Sequence, residues 1–337
     1  MSNTSSDILK SETLAELGEQ KVLERLQKFC PEEVIGDDGA AIPWQTNSGD
    51  AGDRLVVTTD VLVDGVHFSD RTTPPHSVGW RAAAANLSDL AAMGADPVGL
   101  TVGLALPGET RWQWVEQLYR GLKDCGDRYS APIIGGDLCR STVATLSITA
   151  LGRARRSHLI QRSALQPGDF LIATGVHGAS RAGLELLLNP ETGAAVSEPQ
   201  RQSWIRAHQY PQPRLDWLPM LKIVERAIAG MDSSDGLADA VLQMARSSGC
   251  GVELWGDRLP TPAGLSDWVG QDKAQNWTLY GGEDFELVLG LPEELIAQFN
   301  RDFSYYVIGQ AVMKEGVKLL EKQGGQAIAQ LSLSQGF

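Results

Sequence analysis

Aspartate recurs in this chain where an apolar run gives way to glycine or a small polar residue. Gly36-Asp37-Asp38-Gly39 separates two short apolar runs, Asp60 closes the β-branched stretch 55–59, and Gly135-Gly136-Asp137 ends the run 132–134. Asp64, Asp89, the segment Asp232-Ser233-Ser234-Asp235-Gly236 and the pair Glu283-Asp284 extend the set. Carboxylates spread over several loops of a rigid scaffold suit a hard cation, because magnesium takes oxygen ligands and bridges one or two carboxylates to substrate phosphates. Each Asp-Gly or Gly-Asp pair taken alone is an ordinary turn. Convergence would decide between the two readings, and convergence is not visible in a sequence.

Strands and helices alternate between these turns. Residues 1–18 are polar and read as loose, and Val22, Leu23, Leu26 and Phe29 predict a short amphipathic helix that Pro31 ends. A strand over 55–59, a long alanine-rich helix over 77–93 stopped by Gly94, and a strand over 98–106 follow. Thr110 caps a helix with Val115, Leu118 and Leu122 on one face, and strands over 132–134 and 143–151 complete an α/β domain at 31–152, behind an N-terminal extension and helix at 1–30. The basic run Arg153, Arg155, Arg156 marks the boundary to a C-terminal domain at 153–337. There the pattern predicts a strand over 170–174, a helix through Leu188 and a polar loop over 189–202. A helix after Pro211 and Pro213 ending near Gly230, an acidic turn over 231–236, a helix ended by Gly249, and strands over 285–291 and 305–308 follow.

Composition narrows the function classes. The 337 residues suggest about two domains. The formal charge of −13 argues against general affinity for nucleic acid or an anionic membrane, and makes bound cations the natural intermediaries for a phosphorylated substrate. Cys30, Cys125, Cys139 and Cys250 are scattered without a C-x-x-C spacing, so neither zinc nor a disulfide framework is expected. The N-terminus carries no apolar signal core, and Asn86, Asp89 and Asp96 interrupt the most apolar stretch. A reduced, cytoplasmic protein is expected.

Several motifs admit two readings. Ser234 or Asp235 can cap the helix that follows, or Ser234 can donate to a phosphate at the helix N-terminus while the aspartates hold metal. Asn86 and Asp89 share a helix face and serve either core hydrogen bonding or metal ligation. Thr58-Thr59-Asp60 offers three oxygen ligands or two β-formers before a turn. A lone histidine such as His67 is more often structural than catalytic, so no histidine metal site or triad is proposed. The G-x-x-x-x-G-K-[ST] loop, the protein-kinase loops and a dinucleotide fingerprint are all absent.

In order along the chain stand Gly36-Asp37-Asp38, Thr58-Thr59-Asp60 with 62–68, the run 86–95, Gly135-Gly136-Asp137, 232–236 and 281–287. With these motifs the chain resembles the thiamine-monophosphate kinase family, within the superfamily of aminoimidazole ribonucleotide synthetase and selenophosphate synthetase. The resemblance runs from about Gly36 to the C-terminus. It implies a two-domain synthetase-like α/β (α+β) fold, with an N-terminal mixed α/β domain whose sheet forms a barrel across a homodimer and a C-terminal α+β domain. It implies ATP-dependent phosphorylation of thiamine monophosphate to thiamine diphosphate, the last step of that cofactor's biosynthesis, with several Mg²⁺ ions and room for a monovalent cation. Carried over by position, Asp38, Thr58, Thr59, Asp60, Asp89, Asp137, Asp232 and Asp235 match metal ligands. Tyr119, Gly136, Asp137, Arg162 and Ser234 match ATP contacts, and His67, Glu283 and Phe337 match substrate contacts. No residue is needed as acid or base, since a phosphate acceptor with a second pKa of about 6 is already a nucleophile. The alternatives are another ATP-dependent synthetase of the superfamily, or a non-catalytic nucleotide- or metal-binding protein.

Overall fold

The computed structural model describes residues 13–31, 36–44, 52–224, 226–299 and 304–332. The chain divides into Met1–Gly36 and Asp37–Phe337. In the first unit, helices α1 (Leu14–Leu17) and α2 (Glu19–Gln27) are described. Thr13 and Glu16 form a reciprocal capping pair, Thr13 N–H donating to Glu16 Oε2 at 2.7 Å and Glu16 N–H to Thr13 Oγ1 at 3.3 Å. This turn of helix lies inside the segment read as loose, because the pair satisfies backbone donors that hydropathy does not register.

The second unit holds two sheets. The first comprises β1 (Ala40–Pro43), β2 (Asp53–Val63), β3 (Asp96–Leu106), β4 (Ile133–Arg140) and β5 (Thr145–Arg155), in the order β1-β2-β5-β3-β4. Only β3 and β4 pair in parallel. Helices α3 (Pro75–Ala92) and α4 (Trp112–Arg128) pack together on one face. Proline at its first position starts α3, and Gly94 at φ +71° follows its end. Nearly every residue of α3 is buried, as its alanine content requires of a helix wedged between layers. A Cβ on Gly79 would lie 1.9 Å from the Leu118 carbonyl, and one on Gly121 1.8 Å from that of His76. The two helices therefore touch backbone to backbone.

The larger sheet comprises β6 (Ile160–Gln161), β7 (Phe170–Ala173), β8 (Ile228–Asp232), β9 (Gly251–Trp255), β10 (Leu287–Leu291), β11 (Tyr306–Val312), β12 (Gly316–Leu320) and β13 (Ala327–Gln330). Their order is β13-β12-β9-β11-β7-β10-β8-β6. Around it lie α5 (Ala179–Leu188), α6 (Glu198–Gln209), α7 (Leu218–Leu221), α8 (Leu237–Ser248), α9 (Leu265–Val269), α10 (Gln271–Tyr280) and α11 (Glu293–Ile296). The C-terminal end of α3 belongs to this half as well: Ala91 and Ala92 share a core with Ile160, Trp217, Ile228 and Leu287. One helix thus reaches both sheets.

Three expectations are corrected. The stretch read as a polar loop at 189–202 contains the start of α6, whose inward side is Trp204 and His208, too sparse an apolar pattern to betray a helix. The helix expected before Gly230 is only the short α7, and Met231 and Asp232 belong to β8, which β10 and β6 pair on both sides. The acidic turn therefore begins at Ser233. The strand expected from Phe285 starts at Leu287, because Glu283 (φ +68°) and Phe285 (φ +52°) occupy the left-handed region.

Candidate functional site

Three of the aspartates converge, one from the turn after Gly36, one from α3 and one from the end of β8. One carboxylate oxygen from each of Asp38, Asp89 and Asp232 lies within 4.8 Å of the other two. Helix α3 organises them. Asp89 projects from it, and the neighbouring Ser88 Oγ donates to Asp232 Oδ2 at 2.6 Å. Thr58 Oγ1 on β2 donates to Asp89 Oδ2. Asn86 ties β2 to the helix, its Oδ1 accepting the Asp60 N–H at 3.1 Å and its Nδ2 donating to the Ala82 carbonyl at 3.0 Å. Of the two polar residues on this helix, Asn86 makes core hydrogen bonds and Asp89 joins the acid cluster.

Asp38, Asp60 and Asp89 resist ionisation. Burial pushes the Asp38 carboxyl up to about 7; Arg162 opposes the shift, and Asp232 and Asp37 add to it. Asp60 is pushed up to about 6 by burial and by Asp232. Burial, then Asp60, Asp232 and Asp38, raises Asp89 well above the carboxylate range. Arg162 is the guanidinium that faces them: Nη2 donates to Asp38 Oδ1 at 2.7 Å, Nη1 to Gln243 Oε1 at 2.6 Å, and its backbone N–H to Asp37 Oδ1 at 2.8 Å. Asp38 Oδ2 is buried without a hydrogen-bond partner. A set of hard oxygen donors, short of positive charge and with one oxygen orphaned, fits Mg²⁺.

The loop after Asp232 closes this side. Ser234 Oγ donates to Asp232 Oδ1 at 2.8 Å. Gly236 (φ +105°) occupies the N-cap position of α8, so neither Ser234 nor Asp235 serves as its N-cap, and the loop leads directly into its first N–H groups. Asp235 is exposed beside them. The Glu283 N–H donates to the Ser234 carbonyl at 2.7 Å, which joins this loop to the second acidic one.

Glu283 and His67 lie about two turns further toward the N-terminal end of α3, at Arg81. The fully buried Arg81 donates from Nη2 to Glu283 Oε1 at 2.5 Å and to the His67 carbonyl at 3.5 Å. His67 is exposed, and its Nδ1 accepts the Val63 N–H at 3.0 Å, leaving Nε2 to carry the ring proton outward. Asp284 is structural: its oxygens accept the N–H groups of Gly178 at 2.6 Å and Ser180 at 2.8 Å at the start of α5, and burial pushes it up to about 7. Glu286 is held by Arg214 at 2.6 Å and Thr174 at 2.5 Å.

Asp137, Gly136 and Tyr119 form a separate group. Asp60, Ile148, Val102 and Gly136 align in one row across the first sheet. Three strand spacings, about 14 Å, separate β2 from β4. Asp137 is exposed on that edge strand, and Tyr119 with Leu138 lines an apolar groove of about 750 Å³ between α4 and β4. Thr59, beside Thr58, stands on the opposite face of β2 and shares a hydrogen bond with Thr149 Oγ1 at 2.8 Å. Phe337 lies outside the described residues. Sequence reasoning missed Arg81 and Ser88. Their signal was a cation and a hydroxyl seven residues apart on an otherwise apolar helix.

Residues 36–154 match the family model described as AIR synthase related protein, N-terminal domain. The thiamine-monophosphate kinase of Synechococcus elongatus is 48% identical over 98% of this chain and 98% of its own length. That of Aquifex aeolicus is 33% identical over 90% and 94%. A solved structure of AaThiL complexed with AMPPCP and TMP superposes with a TM-score of 0.82, at 32% identity over 93% of this chain and 96% of that one. The E. coli hydrogenase maturation protein HypE shares the fold at a TM-score of 0.66, 20% identity and 94% and 97% coverage. With 48% identity over nearly the whole length of one relative and the acid cluster in place, the chain belongs to the thiamine-monophosphate kinase family.

Proposed function

We propose that this chain transfers the γ-phosphoryl group of ATP to the phosphate of thiamine monophosphate by direct in-line displacement. The observation that carries this is the convergence of Asp38, Asp89 and Asp232, with Asp60 beside them, against one facing arginine. A polyphosphate brings its own negative charge to that pocket, and Mg²⁺ held by these carboxylates with Thr58 supplies the neutralisation that lets two anions approach. Arg162 donates to nucleotide phosphate oxygens, and Ser234 with the uncapped start of α8 cradles them. An oxygen of the acceptor phosphate forms the new P–O bond, the bond between the γ-phosphorus and the β–γ bridging oxygen breaks, and ADP departs. The acceptor oxygen needs no general base.

Tyr119, Gly136 and Asp137 support a homodimer, because within one chain three strand spacings separate β4 from β2 and the cluster beside it. The face of the first sheet away from α3 and α4 carries Thr59, Val61, Ser147 and Thr149, exposed or half-buried. A second copy laid against it closes a barrel and brings its Asp137 and Tyr119 to the site; residues 31–152 are then the dimerisation domain. Among the described residues no helix is long and apolar enough to cross a membrane, and a cytoplasmic biosynthetic enzyme is the reading that follows from the family.

The deciding experiment is ATP-dependent conversion of thiamine monophosphate, with Mg²⁺ and then with chelator. Mg²⁺-dependent formation of thiamine diphosphate and ADP is expected. No product from a folded protein that still binds ATP would give the site to a different acceptor, as in another synthetase of the superfamily.

A further inference from the structure

We infer that Arg81 is the positioning residue of the acceptor side: it sets Glu283 and the His67 turn in one fixed relation, and the affinity for the acceptor depends on it. The inference rests on the acceptor reading of His67 and Glu283 given above.

Arg81 sits in the middle of α3 with 2% of its side chain exposed, among alanines. A guanidinium buried there gives up its hydration and needs a charged partner to offset that loss. Glu283 is the carboxylate that pairs with it, from 202 residues further along the chain. The same guanidinium donates from Nη2 to the His67 carbonyl and from Nη1 to the His208 carbonyl at 2.5 Å. His208 adds no charge, since burial, then Arg81 and Arg181, pushes it down to about 3. One cation therefore ties together the β2–α3 connection, the α6 terminus and the loop before β10.

The geometry of Glu283 shows what is held. Its backbone lies at φ +68°, a left-handed conformation that is unfavourable for a non-glycine residue and persists only where neighbours impose it. The Ser234 carbonyl holds its N–H, and Arg81 holds Oε1. Oε2 has no partner closer than His208 Nδ1 at 3.8 Å, and 35% of the side chain is exposed. One oxygen is anchored inward and the other is left to a ligand. His67 is fixed in the same way at its carbonyl while its ring remains exposed. A fork of this kind cannot be supplied by the packing of alanines, and nothing else among the described residues bridges the two elements.

The test is steady-state kinetics of the full chain with Mg²⁺, ATP and thiamine monophosphate. Arg81→Met is expected to raise KM for the acceptor at least tenfold, with KM for ATP and kcat within threefold, and Arg81→Lys to restore part of the loss. In a Glu283→Gln background, Arg81→Met should change the acceptor KM less than twofold, because the two residues act as one unit. Equal rises in both KM values, loss of kcat alone, or full additivity with Glu283→Gln would overturn the inference. Should Arg81→Met not fold, Arg81→Gln must show the same split at fivefold or more, and its absence overturns the inference equally. Wild-type protein without turnover of thiamine monophosphate would instead overturn the functional reading, and this inference with it.

Discussion

Two charged centres lie about two turns apart along α3 and are built on opposite principles. On the Asp89 side, buried carboxylates crowd together, and Arg162 is the cation that faces them. On the Arg81 side, one buried cation meets one carboxylate at 2.5 Å and two backbone carbonyls, with its Nε left unpartnered. The first centre is unfavourable until positive charge arrives; the second is already paired charge against charge. A site that must recruit cations is left short of them, whereas a site that must present a fixed shape carries its own counter-ion. Removing a charge should therefore have opposite effects on stability at the two centres.

The largest effect is expected from Asp89→Asn. Turnover should fall by about 1000-fold or more, while the melting temperature of the metal-free protein at neutral pH rises by about 2 °C as repulsion is relieved. A lower melting temperature would show that the cluster is stabilising without metal, and would remove the contrast. Arg81→Met should do the reverse in the same melting assay, losing about 2 kcal/mol, since the buried carbonyl acceptors are orphaned while half-exposed Glu283 can rehydrate.

Mixing subunits extends the comparison across the proposed dimer. Asp89→Asn and Asp137→Asn should each be inactive alone. After unfolding and refolding together they should recover about a quarter of wild-type activity, from heterodimers with one intact site. No recovery would place Asp137 and Asp89 in the same copy's site.

The acid centre should also respond to pH. Asp38 and Asp60 titrate near 7 and 6 in the folded protein, against an ordinary value of 3.8. The folded state thus keeps protons that the unfolded chain has released. This contribution to stability is whole below about pH 4 and is lost as pH rises through 6 and 7. Melts of metal-free protein should fall by roughly 3–5 °C between pH 5 and 8, and Mg²⁺ should remove most of the decline. A flat profile without metal would contradict the burial of these groups. The smallest effect is expected from Thr59→Ala, within threefold on turnover, because its hydroxyl faces Thr149 on the far side of the sheet.

Much of this was legible beforehand because it is local. The alanine run of α3, its glycine stop and the Asp-Gly turns are patterns of neighbouring residues, and the family motifs picked out Asp38, Asp89 and Asp232 before they were seen to meet. Arg81 was not legible, since its meaning depends on a carboxylate 202 residues away. The short α7 and the strand β8 were misread for a related reason: β8 is a strand because β6 and β10 flank it, which its own five residues do not disclose. The roles of Asn86 and Asp89 separated only when β2 was placed against the helix.

The backbone contact at Gly79 and Gly121 has a consequence for substrate choice. With no side chain between them, α3 and α4 have little freedom to slide or roll, so α3 is a stiff bar. Arg81 and Asp89 are eight residues apart on that bar, about 12 Å along its axis. On the acceptor reading proposed above, the helix would act as a gauge: an acceptor held at Arg81's end and reacting at Asp89's would have to span that length, and molecules cut to another length would be rejected by distance before any chemistry begins.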